Sequence, residues 1–90
     1  MNAEPIETIE AAAILRQDKV WSVPRPGRHH DVLMLMFSTG IEESHGDTQG
    51  FVTSAGRFVN RGRAVRIATK AGQITAPKFQ PNKLFSEDLW

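Results

Sequence analysis

The chain has 90 residues, of which 40% are hydrophobic and 23% are charged, and its formal net charge is +1. This length is enough for one small domain, and the composition is too apolar for wholesale disorder. The sequence has no cysteine, which excludes a disulfide framework, a cysteine-based zinc site and a thiol nucleophile. The longest apolar run, residues 32–37, is far shorter than the roughly 18 residues that a membrane span needs. We therefore expect one intracellular domain over residues 1–90, with a loose N-terminal segment (1–6) and an extended C-terminal segment (75–90).

Positive charge is concentrated in one part of the chain. The stretch from residue 57 to residue 70 holds five cations and no acid: Arg57, Arg61, Arg63, Arg66 and Lys70. Two interpretations stay open, a solvated helix face whose charges pair with neighbouring acids and an anion-binding face. The balanced net charge is not typical of a dedicated nucleic-acid binder, because such proteins are usually strongly basic.

The first half of the chain predicts a hairpin followed by a helix. Residues 8–15 are ambiguous, because their alanines favour a helix whereas a polar turn at 16–19 and a strand at 20–23 favour a hairpin. We predict a strand there. The prolines at positions 24 and 26 end this strand. Residues 28–39 then predict a helix that ends at Gly40. The apolar spacing of this helix predicts a buried stripe of Val32, Leu33, Met36 and Phe37.

The second half repeats the pattern of two strands and a helix. Strands are predicted at residues 49–53 and 57–59, joined by a turn in which Gly56 supplies a positive φ. Asn60 is a good N-cap for a helix over residues 61–71. The order ββαββα predicts an α+β fold, a small antiparallel sheet of about four strands with two helices packed on one face. Further core side chains are predicted to be Trp21, Phe51, Phe58 and Ile67.

Several stretches of the sequence resemble a known family. They are QGFVTSAGRFVNR at 49–61, IA at 67–68, AGQI at 71–74 and LFSEDL at 84–89. With RHHD at residues 28–31, they make roughly residues 20–90 similar to an uncharacterised family of small proteins encoded by phages and prophages. The resemblance implies a phage-associated protein in the cytoplasm of the bacterial host, and it implies no particular activity. Relatives often have an acid where this chain has Gly62 and Arg63, and often a glycine where it has Lys19, so this second helix is more basic than theirs.

The RHHD cluster at residues 28–31 is the densest group of candidate catalytic side chains. Histidine is easily poised for proton transfer near neutral pH, which makes His29, His30 and Asp31 the candidates. Adjacent helical residues point about 100° apart, so the two histidines do not readily share an ion, and a metal site would need His45 or a nearby acid as well. We predict no metal and no cofactor. The open alternatives are first-turn polar residues that cap the helix or pack under an aromatic ring, and a metal-free site for an anionic ligand.

Arginines flank the junction of the last strand and the second helix. Arg57 and Arg61 lie beside the Asn60 cap, where free backbone N–H groups favour an anion. Ser54 and Ser86 are candidate nucleophiles only with a base nearby, and the spacing shows none. Their other interpretations are a turn residue and the N-cap of a last helical turn. The predicted binding residues are Arg28, Arg57, Arg61, Arg63, Arg66 and Lys70.

Three hypotheses for the function remain. The favoured one is a small non-enzymatic, phage-associated accessory protein that binds a macromolecule, a host or phage protein or a nucleic acid, through the basic helix face. The first alternative is a small enzyme or ligand-binding domain for a phosphate-bearing molecule that uses His29 and His30 with Arg57 and Arg61. The second is a structural protein that forms oligomers. The sequence assembles no catalytic set, which weighs against an enzyme.

Overall fold

A computed structural model describes residues 6–41 and 46–90, and within these ranges the chain forms one sheet and two α-helices. In chain order the elements are β1 (Ile9–Arg16), β2 (Lys19–Pro24), α1 (His29–Ser38), β3 (Thr48–Thr53), β4 (Phe58–Asn60) and α2 (Arg61–Lys70). The strands are antiparallel and lie in the order β2-β1-β3-β4. The predicted α+β fold with the order ββαββα is confirmed. His45 and most of the predicted loose N-terminal segment lie outside the described residues.

The ambiguous segment at the start of the chain is the strand β1, as predicted. β1 lies between two neighbours, and Ala12 pairs with Val23 of β2 on one side and with Phe51 of β3 on the other. Hydrogen-bond ladders on both sides outweigh a helix preference that amounts to less than about 1 kcal/mol per residue. Ala12 is fully buried, and its small side chain lets a helix pack close to the centre of the sheet.

The core lies between the sheet and the two helices. α1 packs on β1 and β2, and α2 packs on β3, β4 and β1. The buried cluster consists of Ile9, Ala12, Ile14, Val32, Met36, Phe51, Val59, Ala64, Ala68 and Leu84. Its last member comes from the segment that follows α2, so the C-terminal part of the chain is built into the core.

The inward face of α1 differs from the predicted stripe. Val32 and Met36 are buried and Leu33 is half-buried, but the prediction for Phe37 is wrong, since 66% of that residue is exposed. The inward position one turn before Val32 belongs to His29. Apolar residues occur all round this helix, so their spacing alone could not decide which face turns inward.

The other predicted core side chains are buried to different degrees. Phe51 is fully buried, whereas Trp21, Phe58 and Ile67 are half-buried. Trp21 and Ile67 pack against the buried cluster from its edge. In a domain this small most large side chains reach the edge of the core, so partial burial is the expected compromise.

The predicted turn and cap residues have the expected geometry. Gly40 after α1 and Gly56 between β3 and β4 have φ values of +87° and +81°, which favour glycine. The side chain of Asn60 accepts a hydrogen bond of 2.8 Å from the backbone N–H of Arg63, so it caps α2. This cap fixes the point at which β4 turns directly into α2.

Candidate functional site

His29 lies inside the domain and joins three parts of the chain. Its Nε2 is 2.7 Å from the carbonyl oxygen of Gly50 on β3, and its Nδ1 is 3.3 Å from the hydroxyl of Ser86. A carbonyl only accepts, so Nε2 carries the proton and Nδ1 accepts from the Ser86 hydroxyl. The ring also contacts Phe51 edge to face, at 4.9 Å between centroids. His29 therefore ties the start of α1 to the sheet and to the C-terminal segment.

The pairing of His29 with Ser86 supplies a neighbouring base that the spacing of the sequence does not show. The two residues are 57 positions apart, so no local spacing could reveal the pair. Ser86 is also not an N-cap, because the short 3₁₀ turn Ser86–Asp88 is capped instead by Asp88, which accepts from the backbone N–H of Phe85. Ser54 is a turn residue as expected, and its hydroxyl accepts from the N–H of Thr8.

The His29–Ser86 pair does not have the properties of a nucleophile and its base. Only 1% of Ser86 and 7% of His29 are exposed, so a substrate has no access to either group. Burial, assisted by the charge of Arg61, lowers the pKa of His29 to about 4 against the opposing hydrogen bond to Gly50. A base with so low a pKa is weak at neutral pH. The pair is best explained as a buried polar tether.

The other residues of the RHHD cluster have structural roles or face solvent. The side chain of Asp31 accepts from the backbone N–H of Arg28 at 2.8 Å and so caps α1. The Arg28 guanidinium donates to the main-chain oxygen of Trp90. His30 is exposed. The cluster therefore splits between the interior, the helix cap and the surface.

Arg61 is half-buried against the C-terminal segment. Its guanidinium donates to the carbonyl oxygen of Leu84 at 2.7 Å and to the side chain of Gln49, and it lies 4.4 Å from the centroid of the Phe85 ring. Burial lowers the pKa of Arg61, an effect that the charges of Glu87 and Asp88 oppose. Arg61 thus resembles His29 in holding the end of the chain in place.

Arg57 forms an ion pair with an acid from the N-terminal part of the chain. Both its Nε and its Nη2 donate to the Glu7 carboxylate at 2.8 Å, and the Thr53 hydroxyl donates to the same carboxylate. The bonds from Arg57 and Thr53, with the nearby charge of Arg63, lower the pKa of Glu7 to about 2. Glu7 is therefore ionised at neutral pH, and the Arg57 guanidinium is already paired with it.

The exposed cations of α2 border an open groove. We call it the basic groove; its volume is about 460 Å³ and it is lined by Ile6, Glu7, Arg57, Arg63, Arg66, Ile67 and Lys70. Three of the exposed cations, Arg63, Arg66 and Lys70, form no side-chain hydrogen bond or salt bridge with another described residue. Their spacing of three and four residues places them on one face of the helix. Four cations against one carboxylate make the groove positively charged.

The structure brings the predicted site residues together in two places. His29, Arg61 and Ser86 meet at the C-terminal segment, whereas Arg57, Arg63, Arg66 and Lys70 meet at the basic groove. Sequence reasoning missed the contribution of Ile6 and Glu7 to this groove, because the chain carries no local signal that its N-terminal part packs beside α2.

Two further properties of the described residues bear on the kind of protein. Within residues 6–41 and 46–90, no three histidine, aspartate or glutamate side chains are placed to hold one metal ion. No helix in the same ranges is long and apolar enough to cross a membrane.

The fold and the site define a small α+β domain with a tethered C-terminal segment and a basic surface groove. The family model described as the phage T4 y16D protein matches residues 8–90, and the chain belongs to this family of phage proteins. The resemblance to small phage-encoded proteins is thereby confirmed. Comparison with curated proteins and with solved structures gave no match.

Proposed function

We propose that this member of the phage T4 y16D family is a small non-enzymatic accessory protein that binds a negatively charged macromolecule through the basic groove. The observation that carries the proposal is the row of three exposed cations in the groove lining, Arg63, Arg66 and Lys70, whose side chains form no salt bridge with residues 6–41 or 46–90. An exposed charge that forms no salt bridge with the described part of the chain can pair with a ligand. Action in the cytoplasm of the bacterial host is part of the proposal.

Only part of the predicted basic surface supports this function. Arg28, Arg57 and Arg61 are engaged by Trp90, Glu7 and the Leu84 carbonyl respectively. The proposed binding therefore rests on the other three predicted residues, Arg63, Arg66 and Lys70 of α2.

The experiment compares charge reversals inside and outside the groove. The Arg63→Glu/Arg66→Glu variant and the control Lys78→Glu/Lys83→Glu change the net charge equally, but neither control residue lines the groove. Binding to labelled duplex DNA, single-stranded DNA and polyglutamate is measured by fluorescence anisotropy at low and at raised salt.

We expect the groove variant to bind its preferred polyanion at least about tenfold more weakly, since two charge-assisted contacts are lost. The control is expected to stay within about threefold, and wild-type binding to weaken as salt rises. The proposal fails if the wild-type protein binds none of the polyanions at low salt, or if both variants lose binding equally.

The enzyme alternative is met only in part by the described contacts, which bring His29 and Arg61 together at the C-terminal segment. It needs His29 or His30 beside Arg57 and Arg61, yet neither histidine lines the groove that contains Arg57. His29 is buried with both ring nitrogens bonded. The contacts of Arg61 with Leu84 and Gln49 hold its guanidinium within the domain.

The oligomer alternative stays a prediction. The outward face of α1 exposes Met34, Leu35 and Phe37, which is unusual for a surface helix. The surface of these three side chains is far less than the roughly 800 Å² per partner that a stable interface buries. Nothing in the structure shows what covers them.

A further inference from the structure

The lining of the basic groove includes two aliphatic side chains. Ile6, with 60% of its surface exposed, and the half-buried Ile67 lie among the cations that line the groove. An exposed isoleucine beside arginine and lysine side chains offers a site where an aliphatic side chain could lose contact with water. A partner that only neutralises charge would leave this surface unused.

The lining also lacks the groups that single-stranded nucleic acids favour. None of the seven residues around the groove is aromatic, so there is no ring on which a base could stack. Aliphatic side chains with cations around them instead suit a polypeptide that carries both carboxylates and an aliphatic side chain. The volume of about 460 Å³ is in the range of small-ligand pockets, which suits a short segment of chain.

The ion pair between Arg57 and Glu7 adds to this selectivity. Glu7 holds the Arg57 guanidinium in the lining of the groove, and the charge of Arg57 is offset by the negative charge of Glu7. The low pKa of Glu7 shows that this charge persists at neutral pH. The acids of a partner are therefore attracted by Arg63, Arg66 and Lys70 and not by the Glu7–Arg57 pair, which carries no net charge.

We propose that the basic groove binds an acidic polypeptide segment through an aliphatic anchor seated between Ile6 and Ile67, with carboxylates on either side of it paired to the cations of α2. This inference rests on the proposed function, because it names the partner of the same groove. The proposed partner is thus a protein with a short motif in which acidic residues flank an aliphatic side chain such as leucine. A nucleic acid is the competing outcome of the test.

The test compares three labelled probes. Two are acidic nonapeptides that are identical except for leucine or serine at the centre, and the third is a thymidine oligonucleotide of similar charge. Binding to the wild-type protein, to Ile6→Ser and to the control Phe79→Ser is measured by fluorescence anisotropy at low salt. Ile6 and Phe79 have nearly equal exposure, 60% and 61%, and only Ile6 lines the groove, so the two variants are matched. Circular dichroism checks that each variant is folded.

For the wild-type protein we expect the leucine peptide to bind about tenfold or more tightly than the serine peptide, since a side chain of that size leaves water on binding. The preference should fall to about threefold or less in Ile6→Ser and persist in Phe79→Ser. Equal affinity for the two peptides, or tighter binding of the oligonucleotide, overturns this inference and leaves the proposed function standing. Absence of binding to all three probes overturns both.

Discussion

His29 and His30 are neighbours in the chain, yet their side chains have opposite surroundings. His30 is exposed at the start of α1, whereas His29 is buried and bonded to Gly50 and Ser86. A buried imidazole that donates to a carbonyl and accepts from a hydroxyl has both nitrogens satisfied only in its neutral form. The residue therefore stabilises the fold while it is uncharged, and protonation works against it.

The first prediction is that the free energy of unfolding decreases as the pH is lowered, because of His29. Burial, with Arg61 nearby, lowers its folded-state pKa to about 4, and an unfolded histidine titrates at about 6.5. Above pH 6.5 the side chain is neutral in both states; below it the unfolded chain binds a proton that the folded chain does not. We expect a loss of about 2 kcal/mol between pH 7 and pH 5 in urea unfolding. His29→Gln should lose most of this dependence and His30→Gln should keep it; the reverse result would contradict the assignment.

At the scale of single elements, β3 shows how one residue serves several contacts. Gly50 pairs with Ala13 of β1 and with Asn60 of β4, and its carbonyl oxygen accepts from His29. A Cβ atom at this position would overlap the carbonyl oxygen of Val59 and lie 2.6 Å from Cζ of the Phe58 ring. Glycine within a strand often marks such a close approach of neighbouring chain. The sequence pattern places Gly50 in a strand but gives no reason for glycine there.

The second prediction concerns Gly50→Ala, which we expect to destabilise the domain by at least about 3 kcal/mol or to prevent folding, because backbone must move to relieve the overlap. Gly62→Ala is the matched control. Its added Cβ makes only an ordinary contact of 3.4 Å with the Asn82 carbonyl oxygen, and alanine is the better helix former. The control should change stability by no more than about 1 kcal/mol, in the stabilising direction. Chemical denaturation measures both, and equal effects would contradict the packing described for β3.

At the scale of the whole molecule, the C-terminal segment closes the domain. Leu84 is fully buried in the core, Ser86 bonds His29, and Asp88 accepts from the backbone N–H groups of Phe85 and Lys78. The Trp90 indole donates to the Gly27 carbonyl oxygen at 2.8 Å. These contacts join the last residues to the start of α1, about 60 positions earlier in the sequence. The segment predicted to be extended is thus an integral part of the packing.

The third prediction is that Leu84→Ala lowers the free energy of unfolding by about 2–5 kcal/mol, since it empties space in a fully packed core. That is a large share of the roughly 5–15 kcal/mol that stabilises a typical domain. Leu35→Ala is the control, because Leu35 is partly exposed on α1 and its truncation should cost less than about 1 kcal/mol. Equal denaturation midpoints for the two variants would show that the C-terminal segment is not part of the core.

The candidate site could be predicted only in part. The cations of α2 and their common face follow from the spacing of Arg63, Arg66 and Lys70, which is a local property. The engagement of Arg57 by Glu7 did not follow, because the two residues are 50 positions apart. The apolar part of the groove lining was missed for the same reason, since Ile6 and Ile67 are far apart in the chain.

The sequence by itself determined the elements and their order, because hydrophobic periodicity, the Asn60 cap and the glycine turns all act over a few residues. It also carried the resemblance to a phage family. Only the tertiary structure decided which face of α1 turns inward, where His29 finds its partners, and which arginines are engaged by other described residues. Each of those outcomes depends on contacts between residues far apart in the chain, and long-range packing leaves no periodic signal. The net charge of +1 thus conceals an uneven surface, on which Arg57 pairs with Glu7 whereas three other cations of the basic groove form no salt bridge within the described part of the chain.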